Sequence, residues 1–213
     1  MALTSAALLV LAFPSFNQPG CAWVALVPWL LMLRGLEARA AFGWSSLIGF
    51  LFFVGSVWWL IHVTLLGWLV LCAYLALYFG AFGWIVQRIL DARRKTQDAR
   101  LGSCVLCPVS CVVIPCAWVS LEYLRSHLLS GFGWNLLGYS QTPWLALIQM
   151  ADVTGVWGVS WLIVLVNVAL AGFLQAGKPS SRRTPLLIAA GCLIAAGLYG
   201  VVKLARPLRG TPV

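Results

Sequence analysis

The charged side chains within residues 118–125, WVSLEYLR, are the first candidates for chemistry in this sequence. Glu122 and Arg125 stand three residues apart at the predicted end of an apolar segment, so both can lie on one helical turn. An ionisable side chain so close to lipid is a candidate functional residue. The alternative interpretation is an interfacial ion pair with Trp118 as its aromatic anchor. The residues alone leave both interpretations open.

A polar and aromatic segment follows at residues 131–144, GFGWNLLGYSQTPW, in a chain that is otherwise nearly all apolar. Its glycines permit tight turns of the backbone. Its aromatic rings suit the headgroup level of a membrane, so the segment predicts either an aromatic belt or a surface that binds acyl chains. The glycines are Gly131, Gly133 and Gly138, and the aromatic residues are Phe132, Trp134, Tyr139 and Trp144.

Cysteine and histidine form no catalytic or metal-binding pattern. Three cysteines of one predicted helix share a face about 60° wide and a fourth points away, whereas a tetrahedral site needs ligands that converge from several directions. The two histidines lie at the ends of different predicted spans, so neither can serve as a base for a nearby cysteine. The sequence therefore indicates no metal, no cofactor and no catalytic residue. The residues concerned are Cys104, Cys107, Cys111, Cys116, His62 and His127.

The composition is that of a membrane protein. Of the 213 residues, 62% are hydrophobic and 9% are charged, and the mean hydropathy is +0.95. The net charge of +9 arises from bases in short connections between apolar runs, where they set membrane orientation. We therefore expect no nucleic-acid partner.

The apolar runs predict an all-α, polytopic transmembrane helical bundle of about seven spans. A span needs about 20 apolar residues. Five runs reach this length, and two shorter ones flank the turn PSFNQPG and form either two short spans or a re-entrant hairpin. The long runs are 42–63, 65–86, 101–121, 155–176 and 184–202, and the short ones are 2–13 and 21–33.

The distribution of lysine and arginine predicts the orientation. Most of them fall on one side of the predicted bundle, so the positive-inside rule places the N-terminus in the cytoplasm. The long loop 122–154 and the C-terminus then lie outside the cytoplasm. Within this frame, Asp152 is predicted to be a helix cap or first-turn acid, and Asn167 to form an interhelical hydrogen bond.

Three strings together resemble the membrane part of the apolipoprotein N-acyltransferase family: WVSLEYLR, GFGWNLLGYSQ and ADVTGVWGVSWLIVLVN. The Phe-Pro hairpin and GFLFFVGSVWWL at residues 49–60 are similar as well, so the resemblance covers essentially the whole chain. It implies an enzyme of the bacterial cytoplasmic (inner) membrane in lipoprotein biosynthesis. Such an enzyme moves an acyl chain from a phospholipid to the N-terminal cysteine amine of an apolipoprotein.

The family's chemistry resides in a nitrilase-like domain with a Glu-Lys-Cys triad, placed after the seventh span. No residue here matches that triad, so we expect residues 1–213 to be a transmembrane domain that lacks it and depends on a separate nitrilase-like subunit or on the rest of a longer enzyme. The alternative is a non-catalytic membrane scaffold or lipid-binding protein that lost the catalytic domain.

The resemblance also implies which residues serve the substrate. Five loop residues would border the route of the acyl chain, and three residues of the preceding string would support the loop. Gly133 departs from the family pattern, which usually has proline there. The loop residues are Gly131, Phe132, Trp134, Gly138 and Tyr139, and the supporting ones are Trp118, Glu122 and Arg125.

Overall fold

The computed structural model describes residues 1–14, 16–97, 108–129, 131–175 and 179–206. Within these ranges every regular element is helical, so the predicted all-α class is confirmed. Three short 3₁₀ turns, Pro19–Cys21, Trp58–His62 and Leu137–Gln141, lie between the α-helices. The α-helices are α1 (Ala2–Ala12), α2 (Ala22–Ala25), α3 (Val27–Leu33), α4 (Ala38–Ser56), α5 (Leu65–Gln97), α6 (Pro108–His127), α7 (Leu145–Ile148), α8 (Ala151–Gln175) and α9 (Pro179–Leu204).

Among the described residues, four helices are long and apolar enough to cross a membrane: α4, α5, α8 and α9. The apolar helices at Ala2–Ala12 and Pro19–Leu33 are shorter. The predicted span 101–121 lies partly outside the described residues, and its described part belongs to α6. The predicted number of about seven spans is therefore not confirmed.

Two helix ends differ from the sequence prediction. The predicted span 42–63 is a helix that ends at Ser56 and continues as the 3₁₀ turn Trp58–His62. The next helix continues past residue 86 to Gln97. Both differences arise because hydrophobicity does not mark helix ends. Isolated serines within an apolar run do not reveal where a helix stops, and a helix can continue into polar sequence beyond the apolar stretch.

The turns that connect the helices lie at the two ends of the bundle. Trp59 lies 6.2 Å from Trp134, and Trp23 lies 6.2 Å from Trp144, measured between ring centroids. These contacts bring the first hairpin turn, the turn after α4 and the segment after α6 to one end, which we call the loop end. At the opposite end the side chain of Gln87 donates to the Leu36 carbonyl.

The core is built on an aromatic cluster between the first hairpin and helices α4, α5 and α6. The Trp29 ring stacks on Phe79 at 5.5 Å and meets Phe82 and Trp118 edge-on at 5.3 and 6.1 Å. Its indole nitrogen donates to Ser45 Oγ at 2.8 Å, so this buried tryptophan has both its rings packed and its polar atom paired.

The break between α2 and α3 is stabilised by Asn167 of α8. Its Oδ1 accepts the Leu26 N–H at 2.9 Å, and its Nδ2 donates to the carbonyls of Ala22 and Ile163, each at 2.9 Å. A broken helix is tolerated inside a membrane protein only where its free backbone groups find partners within the protein. The predicted interhelical role of Asn167 is thus confirmed, and it locks the first hairpin to α8.

We expect Asn167→Leu to lower the free energy of unfolding by about 3 kcal/mol, because the Leu26 N–H and the Ala22 carbonyl would stay buried without partners. The measurement is denaturant unfolding in detergent micelles. Gln175→Leu is the matched control, since this amide lies on the same helix and has no hydrogen-bond partner among the described residues. Equal losses for the two variants would contradict the bridging role of Asn167.

Candidate functional site

The last two turns of α6 place Glu122 and Arg125 beneath the segment that follows the helix. Both side chains are almost fully buried, with 6% and 3% of their surface exposed. Both are described, and no Arg125 nitrogen lies within 4.0 Å of a Glu122 oxygen, so their opposite charges interact only at longer range. The interpretation as an interfacial ion pair is therefore wrong: both residues lie inside the protein and bind the following loop.

Both side chains hold the loop by its backbone. Glu122 Oε1 accepts the Leu137 N–H at 2.7 Å. Arg125 donates from Nη1 to the Trp134 carbonyl at 2.9 Å and from Nη2 to the Asn135 carbonyl at 3.4 Å. Hydrogen bonds to charged groups are stronger than neutral ones. One helical turn thus fixes residues 134–137.

The chain leaves α6 through a turn that requires glycine. Gly131 has φ +76°, and a Cβ there would collide with the Ser126 carbonyl oxygen. The next residue, Phe132, donates its N–H to the Arg125 carbonyl at 2.9 Å, which folds the chain back onto the helix end. Asn135 also has a positive φ, 55°, a conformation that asparagine tolerates better than most residues.

The inner edge of the loop, at Gly138, packs closely against α8. The Gly138 N–H donates to Ser160 Oγ at 2.8 Å, and a Cβ on Gly138 would lie 2.7 Å from the Val156 carbonyl oxygen. Glycine therefore permits a close backbone approach here.

The 3₁₀ turn ends at a buried glutamine that connects it to the first hairpin. Gln141 Nε2 donates to the Pro19 carbonyl at 3.1 Å, and its Oε1 accepts the indole N–H of Trp23 at 3.0 Å. Together with α6 and α8, the hairpin therefore holds the inner edge of the loop on three sides.

The outer edge of the loop carries exposed aromatic rings. Trp134 is 60% exposed and Tyr139 is 43% exposed. Phe132 and Trp59 lie beside Trp134, each with its ring centroid 6.2 Å away. An open groove of about 530 Å³, the loop groove, lies between this edge and the first hairpin; it is lined by Phe13, Pro14, Gly133, Trp134, Asn135 and Tyr139.

The structure separates the eight predicted site residues by position. Trp134 and Tyr139 line the loop groove, and Phe132 supports Trp134 from the side. Gly131 and Gly138 shape the backbone, and Glu122 and Arg125 fix it from below. Trp118 lies deeper, packed edge-on against Phe79 and Phe82 at 5.3 and 4.9 Å.

A second anchor holds the end of the loop region. Asp152 lies in the first turn of α8, as predicted, but its carboxylate also contacts α9. It pairs with Lys203 Nζ at 2.6 Å and accepts from the Tyr199 hydroxyl at 2.7 and 2.8 Å. On the same helix, Gly200 approaches the Ala146 carbonyl so closely that a Cβ would not fit. The segment 145–152 therefore packs against α9.

The cysteines and histidines do not assemble into a site in the described part of the chain. No group of three potential metal ligands was found there, and Cys104 and Cys107 lie outside the described residues. His127 Nδ1 hydrogen-bonds the Tyr123 carbonyl at 2.8 Å, whereas His62 packs against Trp58. The two histidines thus have separate, local partners.

Comparison with known proteins identifies the family to which this arrangement belongs. The family model of the apolipoprotein N-acyltransferase N-terminal domain matches residues 5–169, which include α6, the loop and most of α8. This chain belongs to the apolipoprotein N-acyltransferase family. The resemblance read from the sequence is thereby confirmed.

Curated apolipoprotein N-acyltransferases match nearly the whole chain. The protein from Geobacter metallireducens is 35% identical, and the match covers 100% of this chain and 41% of that relative. The protein from Rhodopseudomonas palustris is 32% identical over 96% of this chain and 39% of its own length. Apolipoprotein N-acyltransferase 1 from Treponema denticola is 27% identical over 94% and 37%. The chain thus spans about two fifths of the length of these relatives.

Sequence reasoning missed several residues that hold the loop in this member of the apolipoprotein N-acyltransferase family. Ser160, Gln141 and Trp23 contact it from other elements, and Lys203 reaches Asp152 from α9. One signal was present: Ser160 is a polar residue between apolar ones, and such a residue needs a partner when buried. Nothing in the sequence specified which partner each would find.

Proposed function

We propose that this chain is the membrane part of an apolipoprotein N-acyltransferase, and that the loop groove guides a phospholipid acyl chain to a nitrilase-like catalytic domain. The complete enzyme transfers this acyl chain to the N-terminal cysteine amine of an apolipoprotein. The protein chain described here contributes no catalytic residue to this scheme. One observation above all supports this proposal. The groove has exposed aromatic walls, and buried charged residues fix the backbone that holds these walls.

The groove has the properties that an acyl-chain site needs. Its volume of about 530 Å³ lies within the range of known ligand pockets. Aromatic side chains such as Trp134 and Tyr139 combine an apolar body with a polar atom, which suits the boundary between hydrocarbon and headgroups. The backbone beneath them is fixed before a lipid arrives, so little entropy is lost when the lipid binds.

We further propose that the loop end faces away from the cytoplasm of a bacterial cell, in the cytoplasmic (inner) membrane. Arg34, Arg88 and Arg94 lie toward the opposite end, in keeping with the excess of bases on cytoplasmic sides. Helix α9 runs toward the loop end, where Lys203 meets Asp152. The N-terminus is then cytoplasmic and the C-terminus extracytoplasmic, on the side where a nitrilase-like domain or subunit would receive the lipid.

We expect Trp134→Ala to reduce acyl transfer by the complete enzyme about tenfold, equivalent to about 1.4 kcal/mol of transition-state stabilisation. The ring is a wall of the groove and is 60% exposed, so its loss removes lipid contacts without opening the core. The measurement uses a labelled phospholipid donor and a diacylated lipoprotein peptide in reconstituted vesicles.

The matched control for this variant is Trp44→Ala. Trp44 is 47% exposed on α4 and does not line the loop groove, so we expect an unchanged rate. If both variants retain the full rate, or lose the same share of it, the groove does not guide the acyl chain.

A further inference from the structure

A small, partly open cavity lies beside the loop groove. It has a volume of about 20 Å³ and is lined by residues of α1, α4, α5, α6 and the loop. Most of its wall is apolar, with Leu9 and Phe52 among the lining residues. Phe13 and Asn135 line both this cavity and the groove, so the two spaces adjoin at these residues.

Three polar atoms of residues that line this cavity have no hydrogen-bond partner within the described protein. They are Glu122 Oε2, Trp118 Nε1 and Asn135 Nδ2, and all three are buried. Trp118 lies one helical turn before Glu122; its indole and the Ser160 hydroxyl both lie close to the carboxyl, but neither makes a hydrogen bond to Oε2. Buried polar atoms are seldom unpaired, and three such atoms around one cavity point to a bound group.

The chemistry of the three atoms selects the kind of group. The indole nitrogen only donates, the amide nitrogen of Asn135 donates, and an ionised carboxylate only accepts. A metal cation would face two N–H donors and the Arg125 guanidinium, which also lines the cavity, and an anion would face the carboxylate. A hydroxyl has two lone pairs and one O–H, so it can accept from both nitrogens and donate to the carboxylate. A cavity of 20 Å³ holds one such group, because a water molecule needs about 10–15 Å³.

We propose that this cavity binds a single hydroxyl group, which bridges Trp118 and Glu122 on α6 to Asn135 in the loop. The bridge provides a second connection between α6 and the loop, next to the hydrogen bond from Leu137 to Glu122. The bridge also lies at the bottom of the loop groove, because Asn135 lines both the groove and the cavity. The hydroxyl comes from water or from a lipid headgroup that passes between Phe13 and Asn135. This inference does not depend on acyl transfer.

The direct test is an experimental structure of the full chain in lipid nanodiscs, at a resolution that shows ordered water. One sample contains only phosphatidylcholine, which has no free hydroxyl, and the other contains phosphatidylglycerol. An isolated peak within hydrogen-bond distance of the three atoms in both samples identifies water. A peak continuous with lipid density in the phosphatidylglycerol sample alone identifies a headgroup hydroxyl. An empty cavity in both samples, or a direct hydrogen bond from Trp118 to Glu122, overturns the proposal.

A double-mutant cycle gives an independent test. Trp118→Phe removes one donor, and Asn135→Gly removes the other while tolerating the positive φ at that position. If both donors bind one hydroxyl, the double variant should melt about 2–4 °C above the value expected from additive single shifts. Trp68→Phe is the control, because Trp68 also has a buried, unpartnered indole nitrogen but does not line the cavity. Its combination with Asn135→Gly should be additive; additivity in both cycles contradicts the bridge.

Discussion

Replacement of Glu122 by alanine lowers the free energy of unfolding by about 3–5 kcal/mol, because it leaves a buried charge without compensation. The Arg125 guanidinium, only 3% exposed, would lose the acidic side chain whose charge acts on it most strongly. The Leu137 N–H, which now donates to Glu122 Oε1 at 2.7 Å, would also stay buried without an acceptor. Denaturant unfolding in detergent micelles measures the loss, and acyl transfer by the complete enzyme should fall with it.

Glu122→Gln is the control for this prediction. The glutamine oxygen can still accept the Leu137 N–H, while the charge that compensates Arg125 is removed. We therefore expect a loss of stability between those of the wild-type and alanine proteins. An alanine variant as stable as the wild-type protein would show that the carboxylate does not hold the loop.

Replacement of Arg125 by alanine is the second large effect, also about 3–5 kcal/mol, since it leaves the Glu122 carboxylate buried and uncompensated. It also removes the donors to the Trp134 and Asn135 carbonyls. The damage should therefore concentrate in the loop. Hydrogen exchange should show faster exchange at residues 134–137 than at the core of α4 and α5.

Arg125→Lys separates charge from geometry. A lysine ammonium retains the positive charge beside Glu122, but it lacks the planar fork with which Arg125 reaches two successive carbonyls. We expect a smaller loss of global stability than with alanine, together with a similar increase of exchange in the loop. Unchanged exchange in both variants would contradict the role of Arg125 in fixing the loop.

The class of the fold could be predicted from the sequence because composition alone forces it. A chain that enters a membrane must pair its backbone internally, and uncharged apolar runs of about 20 residues do so as helices. The ends and the number of spans could not be predicted in the same way. Ser56, where α4 stops, is one of three serines in the run at 42–63, so hydrophobicity could not reveal the turn there.

The polar contacts, too, could be predicted only in part from the sequence. Asn167 was predicted to bond between helices, because an amide on an apolar helix needs a partner. The spacing of Glu122 and Arg125 suggested contact between the two, but both bind loop atoms 9–15 residues away in sequence. Those atoms are in reach only because the chain reverses at Gly131 and Asn135, both with positive φ. Neighbour spacing along a helix contains no information about such a reversal.

The central claim is that this chain supplies the membrane part of an acyltransferase. Its most direct test is an acyl-transfer assay on purified membranes that contain the chain, with and without a co-expressed nitrilase-like domain, using a labelled phospholipid and a diacylated lipoprotein peptide. The nitrilase-like domain alone is the control. We expect transfer only when both parts are present. No transfer in any sample, with the chain shown to be folded, would contradict the claim and favour a lipid-binding scaffold.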